Sequence, residues 1–151
     1  MTLKYNKDGY ILQRRFIMII RIAEKKDEVF LLKNDKHICK NELLLSIKIG
    51  RIYIAEIDNI PIGWLRWNMF WDSTPFMNLL YLLKEYRGKG YGRKMVMYWE
   101  QEMKNKGNTL VMTSTQSDEN AQFFYRKLDY RDVGSLLFEN EPLEIIFTKK
   151  V

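Results

Sequence analysis

The 151-residue chain contains one cysteine and one histidine. A lone cysteine, Cys39, can close no intramolecular disulfide, so nothing points to an oxidising compartment. A structural zinc site takes about four ligands, mostly Cys and His, which Cys39 and His37 cannot supply; no metal is expected. A Ser-His-Asp triad would have to recruit His37, and no sequence feature sets a serine beside it. Cys39 reads as a small helix-packing residue, not a nucleophile. Long apolar runs are also missing. No stretch approaches the roughly 20 residues of a membrane span. Arg14 and Arg15 precede an apolar run as in a signal peptide, but Arg21 interrupts it and no small-residue cleavage site follows. The expectation is a cytoplasmic protein that does not engage a membrane. There is no internal repeat, low-complexity tract or linker. Residues 1–17 show no clear period and read as an N-terminal extension outside the core. Residues 18–151 read as a single domain.

What is present is an ordinary globular balance, 46% hydrophobic and 29% charged, with a formal net charge of +6. That much apolar surface can offset the ordering entropy. The positive balance suits an anionic partner such as nucleic acid, an acidic membrane or a phosphorylated small molecule.

Periodicity supplies the elements. IIRIAE reads as a strand, and KKDEVFLLKND as a helix with Val29 and Leu32 facing in. ICKNELLLSIKIG reads as a helix with Leu43, Leu44, Ile47 and Cys39 on its apolar stripe and Gly50 at its C-terminus. IYIAEID and PIGWLRWNMF alternate as a hairpin around Asn59. FMNLLYLLKE reads as a strand buried on both faces. Met95, Trp99 and Met103 repeat every four residues in a helix closed by Gly107. TLVMTST is a strand, and NAQFFYRKL a short helix with Ala121, Phe124, Tyr125 and Leu128 on one stripe. YRDVGSLLF and LEIIFTKK are final strands. The order is a mixed α/β one, not the strict alternation of a doubly wound sheet.

One stretch stands out: RGKGYGRK, residues 87–94, lies between a strand and a helix. Unpaired N–H groups and a partial positive charge gather at a helix N-terminus. Glycines let that backbone approach an anion closely. Arg87, Lys89, Arg93 and Lys94 oppose the helix dipole unless a polyanion binds. The P-loop pattern G-x-x-x-x-G-K-[ST] is absent, and Arg93 stands where a dinucleotide fingerprint needs its third glycine. Arg87, Gly90 and Gly92 instead form R-x-x-G-x-G.

That spacing resembles the coenzyme A signature of the GCN5-related N-acetyltransferase (GNAT) superfamily. NAQFFYRKLDY, residues 120–130, is similar to the superfamily's later motif, with Ala121, Phe124, Tyr125, Lys127 and Leu128 on pattern. The resemblance implies the GNAT acyl-CoA N-acyltransferase fold, a mixed, mostly antiparallel sheet of about seven strands with about four helices. It implies acetyl-CoA as cosubstrate, with Arg87, Gly88, Lys89, Gly90, Tyr91, Gly92 and Arg93 at its pyrophosphate. Leu80 and Leu82, with Leu83 nearby, would lie along the pantetheine arm on a strand that splays from its neighbour. A backbone N–H near Leu82 would polarise the acetyl carbonyl. Tyr125 would be the general acid, since a phenol of pKa about 10 is protonated at neutral pH.

Two departures stand out. Asp129 occupies a usual glycine position, where αL is still tolerable for Asp. Asp118 replaces a cofactor-contacting asparagine, for which Asn120 can substitute. Many relatives carry a glutamate on the fourth strand where this chain has Asn78. A base would then be a water relay, a carboxylate such as Glu56, Asp72 or Glu144, or unnecessary for a partly neutral amine. The acceptor implied is a small-molecule or peptide amine, and homodimerisation follows by analogy with relatives. The run WLRWNMFW reads as core or interface, or as a substrate pocket. No nucleic-acid motif accompanies the basic charge. The rival reading is a non-catalytic acyl-CoA binder.

Overall fold

The computed structural model describes residues 17–151. The reading of 1–17 as an extension therefore falls outside the described residues, except for the exposed Ile17. Seven strands form one sheet in the order β1-β2-β3-β4-β5-β7-β6. They are β1 (Met18–Ile22), β2 (Ile52–Ile57), β3 (Ile60–Phe70), β4 (Thr74–Leu82), β5 (Leu110–Gln116), β6 (Arg131–Leu136) and β7 (Glu144–Lys150). All neighbours are antiparallel except β4 and β5. Four α-helices complete the fold: α1 (Glu28–Asn34), α2 (Lys40–Lys48), α3 (Tyr91–Asn105) and α4 (Ala121–Arg126). This is the mixed sheet and helix set of the GNAT acyl-CoA N-acyltransferase fold.

Each face of the sheet carries its own core. On one face Met95, Val96, Trp99 and Met103 of α3 join Tyr125 and Leu128 over Leu65, Trp67, Met77 and Val111. On the other, Leu31 of α1 and Leu43 of α2 close over Ile52, Ile54 and Trp64. The strands are thus apolar on both sides at their centre, and β2 is buried along its whole length.

Three local expectations need correction. In the first helical segment Leu31 points inward, while Val29 is 78% exposed. A 3₁₀ turn over Lys25–Asp27 precedes α1 and rotates its face. Cys39 is exposed at the N-cap of α2 and does not pack on its stripe. β4 is not buried on both faces, because it is paired along only one of its two edges beyond Met77. Along WLRWNMFW the alternation holds: Trp64 and Arg66 lie in the second core, and Leu65, Trp67 and Met69 face the first, so both faces are buried. Trp71 is 82% exposed at the hairpin tip.

The polar contents of the second core explain part of this. Asp35, at the C-cap of α1, accepts hydrogen bonds from Trp64 Nε1 (3.1 Å) and Arg66 Nε (3.0 Å). Its other oxygen accepts from the His37 backbone N–H (3.1 Å). A buried carboxylate is tolerated only when paired and hydrogen-bonded in this way. Trp64 and Arg66 are therefore core residues. The β2–β3 turn holds Asp58 and Asn59 at φ 50° and 63°, the mirror-type turn whose twist suits a hairpin. Asp129 adopts the expected left-handed conformation, φ 67°.

Candidate functional site

β4 and β5 are joined only at Phe76↔Met112 and Met77↔Thr113. On the other edge of β4, Trp67 pairs with Met77 and Arg66 with Leu79. Asn78 is left between them as a bulged residue. A bulge bends its strand and interrupts the ladder. Here it falls one residue beyond the last β4–β5 pair, and the two parallel strands separate from that point.

A cavity of about 700 Å³ occupies the opening. Leu80 and Leu82 of β4 line one side, and Arg87, Gly88, Gly90, Gly92 and Arg93 of the loop and first turn of α3 line a second. Ala121, Phe124, Tyr125, Lys127 and Leu128 of the α4 segment line the third. Three of these residues are cations and none is acidic.

The glycine loop is built as an anion cradle. Gly88 and Gly90 hold φ 72° and 80°, conformations that cost a residue with a Cβ. A Cβ at either would meet nothing within 4 Å, so both present bare backbone to open space. Gly90 is the N-cap of α3, and no side chain caps the helix. No acidic residue stands in the first turn. The N–H groups of that turn have no partner within the helix, and they face an opening fringed with positive charge. Gly92 also lines the cavity, in a less open place. A Cβ there would come within 3.6 Å of Phe124 and 3.7 Å of Leu80 and Leu82.

Arg87 is held by two contacts. Its Nε donates to the Leu82 carbonyl (2.8 Å), and its guanidinium lies 4.9 Å from the Tyr81 ring centre. Such charge–ring contacts are individually modest, so the side chain is available to a stronger anionic partner.

Tyr125 is 6% exposed and packs on Phe124, Tyr130 and Phe147. Burial pushes its pKa up to about 12, against a hydrogen bond with Thr113 and with a further upward contribution from Glu119. The phenol is therefore fully protonated at neutral pH. It lines the opening, and the Thr113 hydroxyl donates to the Met77 carbonyl (2.9 Å) where the two strands part. Glu119 accepts a hydrogen bond from the Thr115 hydroxyl.

The structure thus gathers Leu80, Leu82, Arg87, Gly88, Gly90, Gly92, Arg93 and Tyr125 around one cavity. Four other expected residues are not in its lining. Leu83 gives its backbone N–H to Ile62 (2.9 Å), Lys89 lies over Tyr86, Tyr91 packs toward the core, and Asn120 is exposed at the N-cap of α4. None of the proposed carboxylates reaches the cavity. Glu56 receives Arg21 Nε at 2.9 Å, Asp72 sits in the β3–β4 turn, and Glu144 begins β7. Asn78 is exposed. Sequence reasoning set Ala121, Phe124, Lys127 and Leu128 on the later motif but did not name them as site residues; all four line the cavity. Their spacing marked a helical stripe, which the structure shows serving core and cavity at once. Nothing in the pattern SDEN pointed to Glu119. Among the described residues no group of three or more His, Cys, Asp or Glu side chains is placed to hold a metal. No helix among them is long and apolar enough to cross a membrane.

No curated protein sequence matches the chain. Solved structures do. Ard1 from Thermoplasma volcanium superposes with a TM-score of 0.77 at 12% identity, covering 89% of this chain and 97% of its own. PaiA N-acetyltransferase from Thermoplasma acidophilum, in complex with coenzyme A, gives 0.76 at 19%, covering 90% and 100%. YncA from Salmonella typhimurium, with its cofactor acetyl-CoA, gives 0.72 at 16%, covering 88% and 93%. At these identities the likeness is one of fold. The model of the acetyltransferase (GNAT) family matches residues 18–130. The chain belongs to the GNAT family of acetyltransferases.

Proposed function

We propose that the protein transfers an acetyl group from acetyl-CoA to a primary amine of a small molecule or peptide. The observation that carries this reading is the cavity between β4 and β5, which runs from an uncapped helix N-terminus rich in cations to a buried, protonated phenol. Its cationic end matches a pyrophosphate, and its Leu80–Leu82 wall matches an apolar arm. The solved neighbours that hold coenzyme A or acetyl-CoA support the choice of cosubstrate.

In the proposed chemistry the amine attacks the thioester carbonyl, and the C–N bond forms. The tetrahedral intermediate collapses with loss of the C–S bond, and the coenzyme thiolate takes the Tyr125 proton. The amine's own proton leaves to solvent, and the phenolate is reprotonated from solvent. Backbone N–H groups freed from the β4–β5 ladder can polarise the carbonyl, as such donors do elsewhere. The bulge at Asn78 follows the last β4–β5 pair directly, so the freed donors begin there and not only at Leu82. A second reading, a non-catalytic acyl-CoA binder, draws on the absence of any carboxylate from the cavity lining. The protein is proposed to be cytoplasmic, to need no metal, and to engage no nucleic acid; a homodimer is compatible with its fold.

Thermal melts with acetyl-CoA, coenzyme A, NAD and ATP at matched ionic strength test the cosubstrate. Ligand that binds only the native state raises the midpoint by mass action. A rise with both coenzyme A forms alone is expected. No rise with either would remove the reading.

A further inference from the structure

Tyr81 lies on β4 one residue before Leu82, and it is not part of the cavity lining. Its ring has two neighbours that together give it a task. The first is Trp64, its partner across the β3–β4 ladder and fully buried. The two ring centres lie 4.8 Å apart, with the planes tilted by 31°. Trp64 is itself pinned, because its Nε1 donates to Asp35 and its ring makes a T-shaped contact with Phe30. The Tyr81 ring therefore has a fixed backing. The second neighbour is the guanidinium of Arg87, 4.9 Å from the ring centre.

The chain reaches this second contact by a short detour. A 3₁₀ turn over Lys84–Tyr86 follows Leu83, and Arg87 comes after it in an extended conformation. Position 87 is thereby returned to positions 81 and 82, where Arg87 Nε donates to the Leu82 carbonyl at 2.8 Å. A guanidinium carries five N–H donors in a planar fork. The Nε bond uses one and leaves those on the two terminal nitrogens, which are the ones that grip a phosphate in pairs. Arg87 lines the cavity, and no carboxylate among the described residues forms an ion pair with it. A carboxylate in place of the ring would hold the cation more firmly and cancel the charge that a phosphate needs. An aromatic ring holds the cation and leaves its charge intact.

We propose that Tyr81 is a positioning residue for the cosubstrate: its ring, backed by Trp64, holds the Arg87 guanidinium at the cavity with its terminal nitrogens free for the coenzyme A phosphates. This deepens the acetyl-CoA reading and rests on it. The ring is the working part, and the hydroxyl is dispensable. Without the ring Arg87 keeps a single hydrogen bond on an exposed side chain, and the entropy of ordering it falls on the binding step.

Calorimetric titration with coenzyme A tests this in the parent, Tyr81→Leu, Tyr81→Phe, Arg87→Ala and the Tyr81→Leu/Arg87→Ala double variant. Tyr81→Leu should weaken binding about threefold, close to the loss in Arg87→Ala. Tyr81→Phe should bind as the parent does. The double variant should lose no more than Arg87→Ala alone, since the two side chains act as one unit. Should Tyr81→Leu fail to fold, Tyr81→Thr, a strand-favouring truncation, carries the same cycle. Parental affinity without the ring, an equal loss in Tyr81→Phe, or a second threefold loss in the double variant would each overturn the proposal. A parent that binds no coenzyme A would instead remove the acetyl-CoA reading, and the role of Tyr81 with it.

Discussion

The two edges of β4 behave oppositely. Toward β3 the strand is paired from Phe70↔Thr74 to Gly63↔Leu82, with only the Asn78 bulge interrupting. Toward β5 it is paired at two positions and then abandoned. The same leucines that would have continued a ladder instead wall a cavity. A strand can be held firmly by one neighbour and still expose its other edge as a binding surface. The two glycines that flank this arrangement show the contrast. A Cβ on Gly63, on the closed edge, would lie 2.4 Å from the Tyr81 carbonyl oxygen. A Cβ on Gly90, on the open side, would meet nothing.

The closed edge is the place where a single atom should do most damage. Gly63→Val is expected to destabilise the fold by about 3 kcal/mol or more, because backbone and not a flexible side chain must yield. A denaturant midpoint close to that of the parent would show that the edge can be prised apart.

On the open edge single changes should cost the fold less and act on turnover or on the ligand. Tyr125→Phe is expected to cost about 100-fold in kcat, with coenzyme A affinity retained. Steady-state kinetics and a binding isotherm separate the two. Because burial drives the Tyr125 pKa up to about 12, with Thr113 opposing and Glu119 adding, the acid stays protonated well into the alkaline range. The parent's kcat should therefore show no falling limb from this residue below pH about 10, where a free phenol titrates. A limb there that vanished in Tyr125→Phe would contradict the burial.

Gly90→Val should then lose at least about tenfold in acetyl-CoA affinity, and pay roughly 1–2 kcal/mol of stability for its left-handed backbone. A folded variant that still gained the full ligand-induced rise in melting temperature would sink the cradle. The smallest effect is expected for Arg87→Ala. Its contacts are exposed ones, so affinity should fall by about fivefold or less, since the backbone donors remain. Calorimetric titration with coenzyme A measures it.

Much of this was legible in the chain. The glycine loop and the stripe on α4 were marked by local spacing, because left-handed turns and helical faces are set by residues close in sequence. Asp58 and Asn59 in the β2–β3 turn and Gly107 after α3 follow the same logic. Val29 was misplaced because the 3₁₀ turn before α1 has no periodic signature. The run WLRWNMFW left core and pocket both open, because which strand faces are covered is set by helices distant in sequence. The buried pairing of Asp35 with Trp64 and Arg66 spans about thirty positions, and no spacing rule reaches that far.

The amino-acid order by itself determined the elements, the uncapped cationic helix start and the apolar character of β4, since each depends on neighbours within a few residues. Only the tertiary structure decided where β4 and β5 part and that Tyr125 lines the opening they leave. Those facts arise from ladders between distant segments, where one unpaired residue, Asn78, changes which edge of a strand is closed and which is open.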